Sequence, residues 1–289
     1  MVINIQAVAD LGYISFYYGC RNPGEWEIAK YQYKDCLLLA DARSFRSDII
    51  EDYKARRKLN RETRPQVQQT YLKVKALREH ILQNDFHSQV AQVPGAEADD
   101  LVAAFHLAYP DLRYIVAIDK DYLQLPGFNA KQYSATMEQF PIKEIFTKLP
   151  QYVSKGLTEI TPPLIVLIHA LFGDKSDSIP RLLSSHVTLA KSQWSSIFSG
   201  DSLLSMYQRA HTMFRSDFVT NLNLVVLPGN LLRNEPLDST SLIHSIADQS
   251  YWNPESWSEL IQQALISVEE RSSSITELMS DEWSDLDLG

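Results

Sequence analysis

Three short, mainly apolar runs mark the first part of the chain: Ile3 to Ala9, Cys36 to Ala40 and Tyr114 to Ile118. They are expected as buried neighbours in a parallel sheet. Between them the period lengthens. Val67, Tyr71, Val74, Leu77 and Ile81 recur at intervals of three and four, predicting one long amphipathic helix. Another helix is predicted from about Glu97 to Ala108, bounded by the breaker Pro94-Gly95 and by Pro110. Strands alternating with helices indicate an α/β domain over residues 1–150.

The pattern changes after Pro150. Ile160-Thr-Pro-Pro-Leu reads as a helix start, and the apolar helix from Leu164 to Phe172 should stop at Gly173. Residues 151–268 are expected to form a mostly helical domain. Residues 269–289, rich in Ser, Asp and Glu, are expected to be a mobile acidic tail.

Composition narrows the class. Over 289 residues, 45% are hydrophobic and 22% charged, which excludes a wholly disordered chain. Lys and Arg number 27 against 36 Asp and Glu, a net charge of -9. That balance argues against coating nucleic acid by bulk charge, though not against a local basic strip. The two cysteines, Cys20 and Cys36, are expected to be reduced thiols of a cytoplasmic protein. The longest apolar run, Leu164 to Phe172, is too short to span a bilayer, and the N-terminus lacks a signal-peptide pattern.

Each expected strand ends in an aspartate: Asp10, Asp41 and Asp119. One aspartate after a strand is ordinarily a turn or cap residue. Three at the carboxyl edge of one sheet are harder to explain so, because ligands bind there and like charges repel unless a cation lies between them. Glu97, Asp99 and Asp100 open the second helix, Asp121 follows Asp119 on the same side of its strand, and Asp174 and Asp177 follow the apolar helix. Alone, the last two would read as a polar turn. Together these nine carboxylates form an oxygen-only donor set suited to Mg²⁺, with Mn²⁺ as a substitute. They are numerous enough for two ions about 4 Å apart, the arrangement used in phosphodiester hydrolysis.

The positive counterpart is local: Tyr53-Lys54-Ala-Arg56-Arg57-Lys58-Leu-Asn-Arg61-Glu-Thr-Arg64, continued by Lys73, Lys75 and Arg78. A charge run usually marks a solvated face. Here it interrupts an acidic chain just after Asp41, which favours a phosphate-binding strip. Tyr53 and Tyr71 are candidates for stacking on bases or for the core.

In order and spacing these motifs resemble the 5′ nuclease or flap endonuclease family, which includes phage 5′-3′ exonucleases and phage-type ribonuclease H. The matching residues are Ser44-Phe-Arg46, Asp52-Tyr53-Lys54-Ala-Arg56-Arg57, Val93-Pro-Gly-Ala-Glu97-Ala-Asp99-Asp100, Ile118-Asp119-Lys-Asp121 and Leu171-Phe-Gly-Asp174-Lys-Ser-Asp177. The resemblance implies a central, mostly parallel sheet flanked by helices and a C-terminal helical domain with a degenerate helix-three-turn-helix element. It also implies Mg²⁺-dependent cleavage of 5′ flaps or RNA primers in replication, in a phage enzyme of a bacterial cytoplasm. Asp10, Asp41, Glu97, Asp99, Asp100 and Asp119 would hold one ion, and Asp121, Asp174 and Asp177 the other. Lys54 and Arg57 would act at the scissile phosphate. Arg46, Tyr53, Arg56, Lys58, Arg61, Arg64 and Lys73 would contact nucleic acid, and residues 54–83 would form a helical arch for a single-stranded 5′ end. Two departures are visible. The stretch from Pro180 to Lys191 has no glycine where the family has a Gly-rich hairpin, and the interval from Asp10 to Asp41 is short.

The expected substrate is a DNA or RNA–DNA duplex bearing a 5′ flap or end, acted on by a monomer. Leu278, Trp283, Leu286 and Leu288, set among acids, could dock on a sliding clamp or single-strand-binding protein; composition alone favours the plainer reading, a solubilising tail without a partner. The alternative readings are a catalytically inactive DNA-binding scaffold of the same fold and an RNA-processing nuclease.

Overall fold

The computed structural model describes residues 5–21, 23–86, 89–128, 131–139, 161–199 and 202–284, the last eleven by backbone alone. Five strands form one parallel sheet: β1 (Ala7–Asp10), β2 (Cys36–Leu39), β3 (Val90–Ala91), β4 (Tyr114–Val116) and β5 (Gln132–Tyr133), in the order β3-β2-β1-β4-β5. The three apolar runs are its three central strands. The two edge strands are only two residues long, and nothing in their local pattern distinguishes them from loop.

Side chains alternate across this sheet. Val8, Leu37, Leu39 and Ile115 pack on one face, and Ala7, Ala9, Leu38 and Val116 on the other. The second face is covered by α1 (Leu11–Gly19), α2 (Pro23–Ala29) and the foot of a long helix, with Trp26 and Tyr33 fully buried. The first is covered by α6 (Ala98–Ala108) and by helices from the second half of the chain: α7 (Pro162–Phe172), α8 (Val187–Phe198), α9 (Leu203–Phe214), α10 (Ser216–Val225), α11 (Ser239–Ala247) and α12 (Ser258–Ser284). One hydrophobic cluster runs from Val8 through Phe105 and Leu167 to Val268, so the C-terminal helices share their core with the sheet.

Between β2 and β3 lie α3 (Arg46–Ile49), α4 (Ala55–Thr63) and α5 (Pro65–His80). The segment expected to be an arch is therefore two helices meeting at Arg64-Pro65, where proline takes the first helical position. The expected amphipathic helix is buried only at its foot. Ile81 is inaccessible, and Val74 lies so close to α1 that a Cβ on Gly19 would fall 2.9 Å from the Val74 Cα. Val67 and Tyr71, 38% and 40% exposed, extend beyond the core.

α12 runs to Ser284, so most of the segment expected to be a mobile tail is helical. The side chains of Leu278, Trp283, Leu286 and Leu288, and the boundary at residues 150–151, lie outside the described residues.

Candidate active site

The register of the sheet brings the first aspartates to one edge. Asp10 ends β1 level with Leu39 of β2, while Ala9 is level with Val116 of β4. The chain turns from β3 back past β1 to β4, so Asp10 and Asp119 flank the point where strand order reverses, the place where open α/β sheets bind ligands. Asp10 caps α1, accepting from the Tyr13 amide at 3.0 Å. Asp41 accepts from the Ala98 amide at 2.9 Å, which ties it to the start of α6. Asp99, on the first turn of that helix, accepts from the Tyr122 hydroxyl. A Cβ on Gly12 would lie 3.1 Å from Asp10 Oδ1 and 3.5 Å from Asp41 Oδ2, so these two carboxylates converge over a residue without a side chain.

This first group is short of positive charge. Among the described residues, no ion pair reaches Asp10, Asp41, Asp99 or Asp119. Burial, reinforced by Asp41 and Asp119, pushes the Asp10 carboxyl up to about 7. Burial and the neighbouring Asp121 push Asp119 to about 6. Asp99 is raised well above the carboxylate range by burial and by Asp10 and Asp119.

The second group is built differently. Asp121 follows Asp119 in a short 3₁₀ turn, and Asp174 and Asp177 sit in a tight loop after α7. Gly173 makes that loop possible. Its φ is 62°, and a Cβ there would meet the Ile179 and Pro180 carbonyl oxygens at 2.5 Å. Lys120 Nζ donates to Asp121 at 2.7 Å and to Asp174 at 2.9 Å. Asp174 also accepts from the Ser176 amide and hydroxyl, both at 2.6 Å. His169 Nδ1 is 3.5 Å from Asp121, and Arg57 pairs with Asp177. Burial acts to raise Asp121 and Asp174, but Lys120, with His169 at the former and Ser176 at the latter, holds both below the usual range. Asp177 stays raised by burial despite Arg57. Glu97, Asp99, Asp119, Asp121, Asp174 and Asp177 all line one cavity of about 520 Å³.

The expected cations divide. Lys54 pairs with Glu97 from a left-handed backbone position, φ 57°, and its amide donates to the Asp177 carbonyl at 3.0 Å. Lys54 and Arg57 thus carry the start of α4 to the cavity rim. Arg56, Lys58, Arg64 and Lys73 are exposed on α4 and α5 and the link between them, and Arg61 lies over the Tyr71 ring at 4.5 Å.

Three expected roles are corrected. Arg46 is not at the surface: it is 2% exposed and forks onto Asp100 at 2.7 and 2.8 Å, with further donation to the Leu224 carbonyl at 2.8 Å. Asp100 consequently does not face the other carboxylates. Its oxygens are taken by that fork and by the Glu97 and Gly229 amides at 3.1 and 2.9 Å. A fully buried carboxylate needs such saturation. Tyr53, a candidate for stacking on bases or for the core, is half-buried and donates its hydroxyl to Glu97 at 2.9 Å, so it does not lie open for a base.

Sequence reasoning missed Lys120, His169 and Tyr122. The first lies between two of the aspartates it counted, and the second interrupts an otherwise apolar helix, so each left a signal. Tyr122 left none separable from an ordinary core tyrosine.

The donor set at this mouth is carboxylate oxygen with one imidazole, and its first half carries uncompensated negative charge. Both features fit hard divalent cations. Elsewhere, Glu27, His80 and Asp85 bring ligand atoms within 4.8 Å, the one such group among the described residues. Lys30 already bridges its two carboxylates, at 2.7 and 2.9 Å. No three of the mouth carboxylates bring ligand atoms that close together among the described residues.

None of the curated proteins compared matches the chain in sequence. The solved T5 5′-exonuclease with zinc bound is 16% identical, covers 94% of this chain and 98% of that one, and superposes with a TM-score of 0.52. The T5 D15 protein co-crystallised with metal ions gives 16%, 89%, 98% and 0.52. The bacteriophage T5 D15 flap endonuclease in a pseudo-enzyme-product complex with DNA and metal ions gives 14%, 89%, 98% and 0.51. At these identities the likeness is one of fold. The family description "5′-3′ exonuclease, N-terminal resolvase-like domain" matches residues 16–150, the stretch that carries the Lys54 helix, Glu97, Asp99 and the Asp119–Asp121 turn. Sheet, carboxylate mouth and domain match agree in likening this chain to the 5′ nuclease family.

Proposed function

We propose that this protein is a divalent-metal-dependent 5′-3′ exonuclease and flap endonuclease. It would hydrolyse phosphodiesters near the 5′ end of a flap or RNA primer on a DNA duplex during replication. The observation that carries this reading is the pairing of one carboxylate mouth with the two cations of α4 at its rim.

Asp10, Asp41, Asp99 and Asp119, with Glu97, would hold one Mg²⁺, and Asp121, Asp174 and Asp177 a second. Ions so held would supply Lewis acidity at the phosphate and water activated near neutral pH. The chain's own part is positioning. Lys54 and Arg57 are engaged by Glu97 and Asp177. Once those carboxylates are neutralised, the same two cations are available to charge developing on a phosphate oxygen. The exposed cations of α4 and α5 would contact the backbone of the 5′ strand, so binding should weaken steeply with salt. On the same reading the C-terminal segment docks on a replication partner. Deleting Ser280 to Gly289 should then leave intrinsic cleavage unchanged and abolish stimulation by a clamp or single-strand-binding protein.

The test is cleavage of 5′-labelled flap, nicked and RNA-primed duplexes with Mg²⁺, Mn²⁺ or chelator. Cleavage only with a divalent ion, and only with a free 5′ end, is expected. Full activity in excess chelator, or equal cutting of a closed single-stranded circle, would overturn the proposal. Tight duplex binding without cleavage under any ion would favour the inactive scaffold.

A further inference from the structure

Lys120 has no part in the reading above, yet it occupies the centre of the second carboxylate group. Its Nζ lies 2.7 Å from Asp121 Oδ1 and 2.9 Å from Asp174 Oδ2. The other oxygen of Asp174 is taken by Ser176, and the Asp121 oxygen is also 3.5 Å from His169. The ammonium therefore holds one oxygen of each carboxylate. At 43% side-chain exposure it has a path out to solvent.

We propose that Lys120 is the resident counter-cation of this group, which a second divalent ion has to displace. The inference rests on the nuclease reading and concerns how the second ion is admitted. A divalent ion bound to Asp121 and Asp174 would contact the same oxygens that Lys120 now holds. Ammonium and metal would then sit within a few ångströms at like sign, which neither can sustain in a half-buried site. Binding one expels the other. In the free protein this competition weakens the second site more than the first, since Lys120 pairs with none of Asp10, Asp41, Asp99 and Asp119 and acts on Asp119 only through space. Substrate changes the balance. A phosphate at the rim offers the expelled ammonium a new partner, so nucleic acid and the second ion should each favour the other's binding, and by the same factor. The second ion would then be recruited mainly when there is a phosphodiester to cut.

The experiment is calorimetric titration of the full chain with Ca²⁺, without and with a 5′-flap DNA, for the unaltered protein, Lys120→Met and Lys120→Arg. Lys120→Met should tighten the weaker site about tenfold or more in the absence of DNA. It should also shrink the gain in Ca²⁺ affinity that DNA confers. Lys120→Arg, which keeps the charge, should resemble the unaltered protein. Circular dichroism checks folding, and Lys120→Gln serves should the methionine variant fold poorly. A purely structural salt bridge would lower the melting temperature of Lys120→Met and leave both Ca²⁺ affinities unchanged. That result overturns the inference while the two-ion reading stands. Failure of every protein to bind any divalent ion overturns both.

Discussion

The two halves of the carboxylate mouth carry similar residues in opposite electrostatic states. Asp10 and Asp119 lie where the central strands end and Asp99 on the first turn of α6, all without a cationic partner among the described residues, and burial drives their acidity down. Asp121 and Asp174 lie one loop away with Lys120 between them, and their acidity is enhanced. The difference teaches that the number of carboxylates in a site does not measure its demand for metal. The uncompensated half requires a cation to ionise fully near neutral pH, whereas the compensated half has brought its own. Asp100 is the limiting case, with every oxygen engaged by Arg46 and by amides.

The sharpest way to break this comparison is to remove one carboxylate from each half. Losing an ion that contributes several kcal/mol at the transition state should lower cleavage by about 10³-fold for Asp41→Asn or Asp119→Asn. Asp174→Asn should cost less, about 10²-fold, and all three should retain flap binding by gel shift. Equal losses in both halves would erase the distinction.

Asp100 and Arg46 give the next largest effect, on stability rather than chemistry. Removing one partner of a buried pair typically costs about 3–5 kcal/mol, so Arg46→Met should shift denaturant unfolding by that amount. Arg46→Met combined with Asp100→Leu should recover part of it. If Arg46→Met unfolds like the unaltered protein but binds DNA poorly, the surface role expected from sequence was right after all.

Lys54 tests whether the rim cations belong to the mouth or to the strip. Lys54→Ala should reduce kcat by about 10²-fold with little change in KM, because its charge acts on the transition state. Arg61→Ala or Lys73→Ala should instead weaken binding and flatten its salt dependence. A pure KM effect at Lys54 would move it to the strip.

The smallest effect is on stability against pH in chelator. The folded state holds the Asp10 proton up to about 7 and the Asp119 proton up to about 6, against an ordinary 3.8. Each therefore contributes stability that is complete below about 3.8 and lost as pH rises through its folded value. Asp121 and Asp174 act in the opposite sense, adding stability above 3.8 that is lost only as pH falls below it. Between pH 5 and 8 the first half loses stability, so the melting temperature should fall by several degrees, less what His106 and His169, whose imidazoles burial holds below the ordinary 6.5, regain as pH rises. Mg²⁺ should remove most of that slope, and a flat profile in chelator would contradict the assignment.

The apolar runs determined the sheet's centre by themselves, because a strand buried on both faces must be written in continuous hydrophobic residues whatever surrounds it. The aspartates at their ends, the helix opened by Glu97 and the stop at Gly173 were legible for the same reason: each obeys a local rule of chain geometry. Spacing could also say that nine carboxylates belong to one neighbourhood. It could not say which way each one faces. Asp99 and Asp100 are adjacent, yet one enters the cavity and the other turns into Arg46. That choice depends on the Leu224 carbonyl and the Gly229 amide, more than a hundred residues away. Whether Lys120 lies between two carboxylates or in solvent depends likewise on how the loop after α7 meets the turn after β4. Partners in a charge network are selected by three-dimensional proximity and shared desolvation, and only the folded chain supplies either.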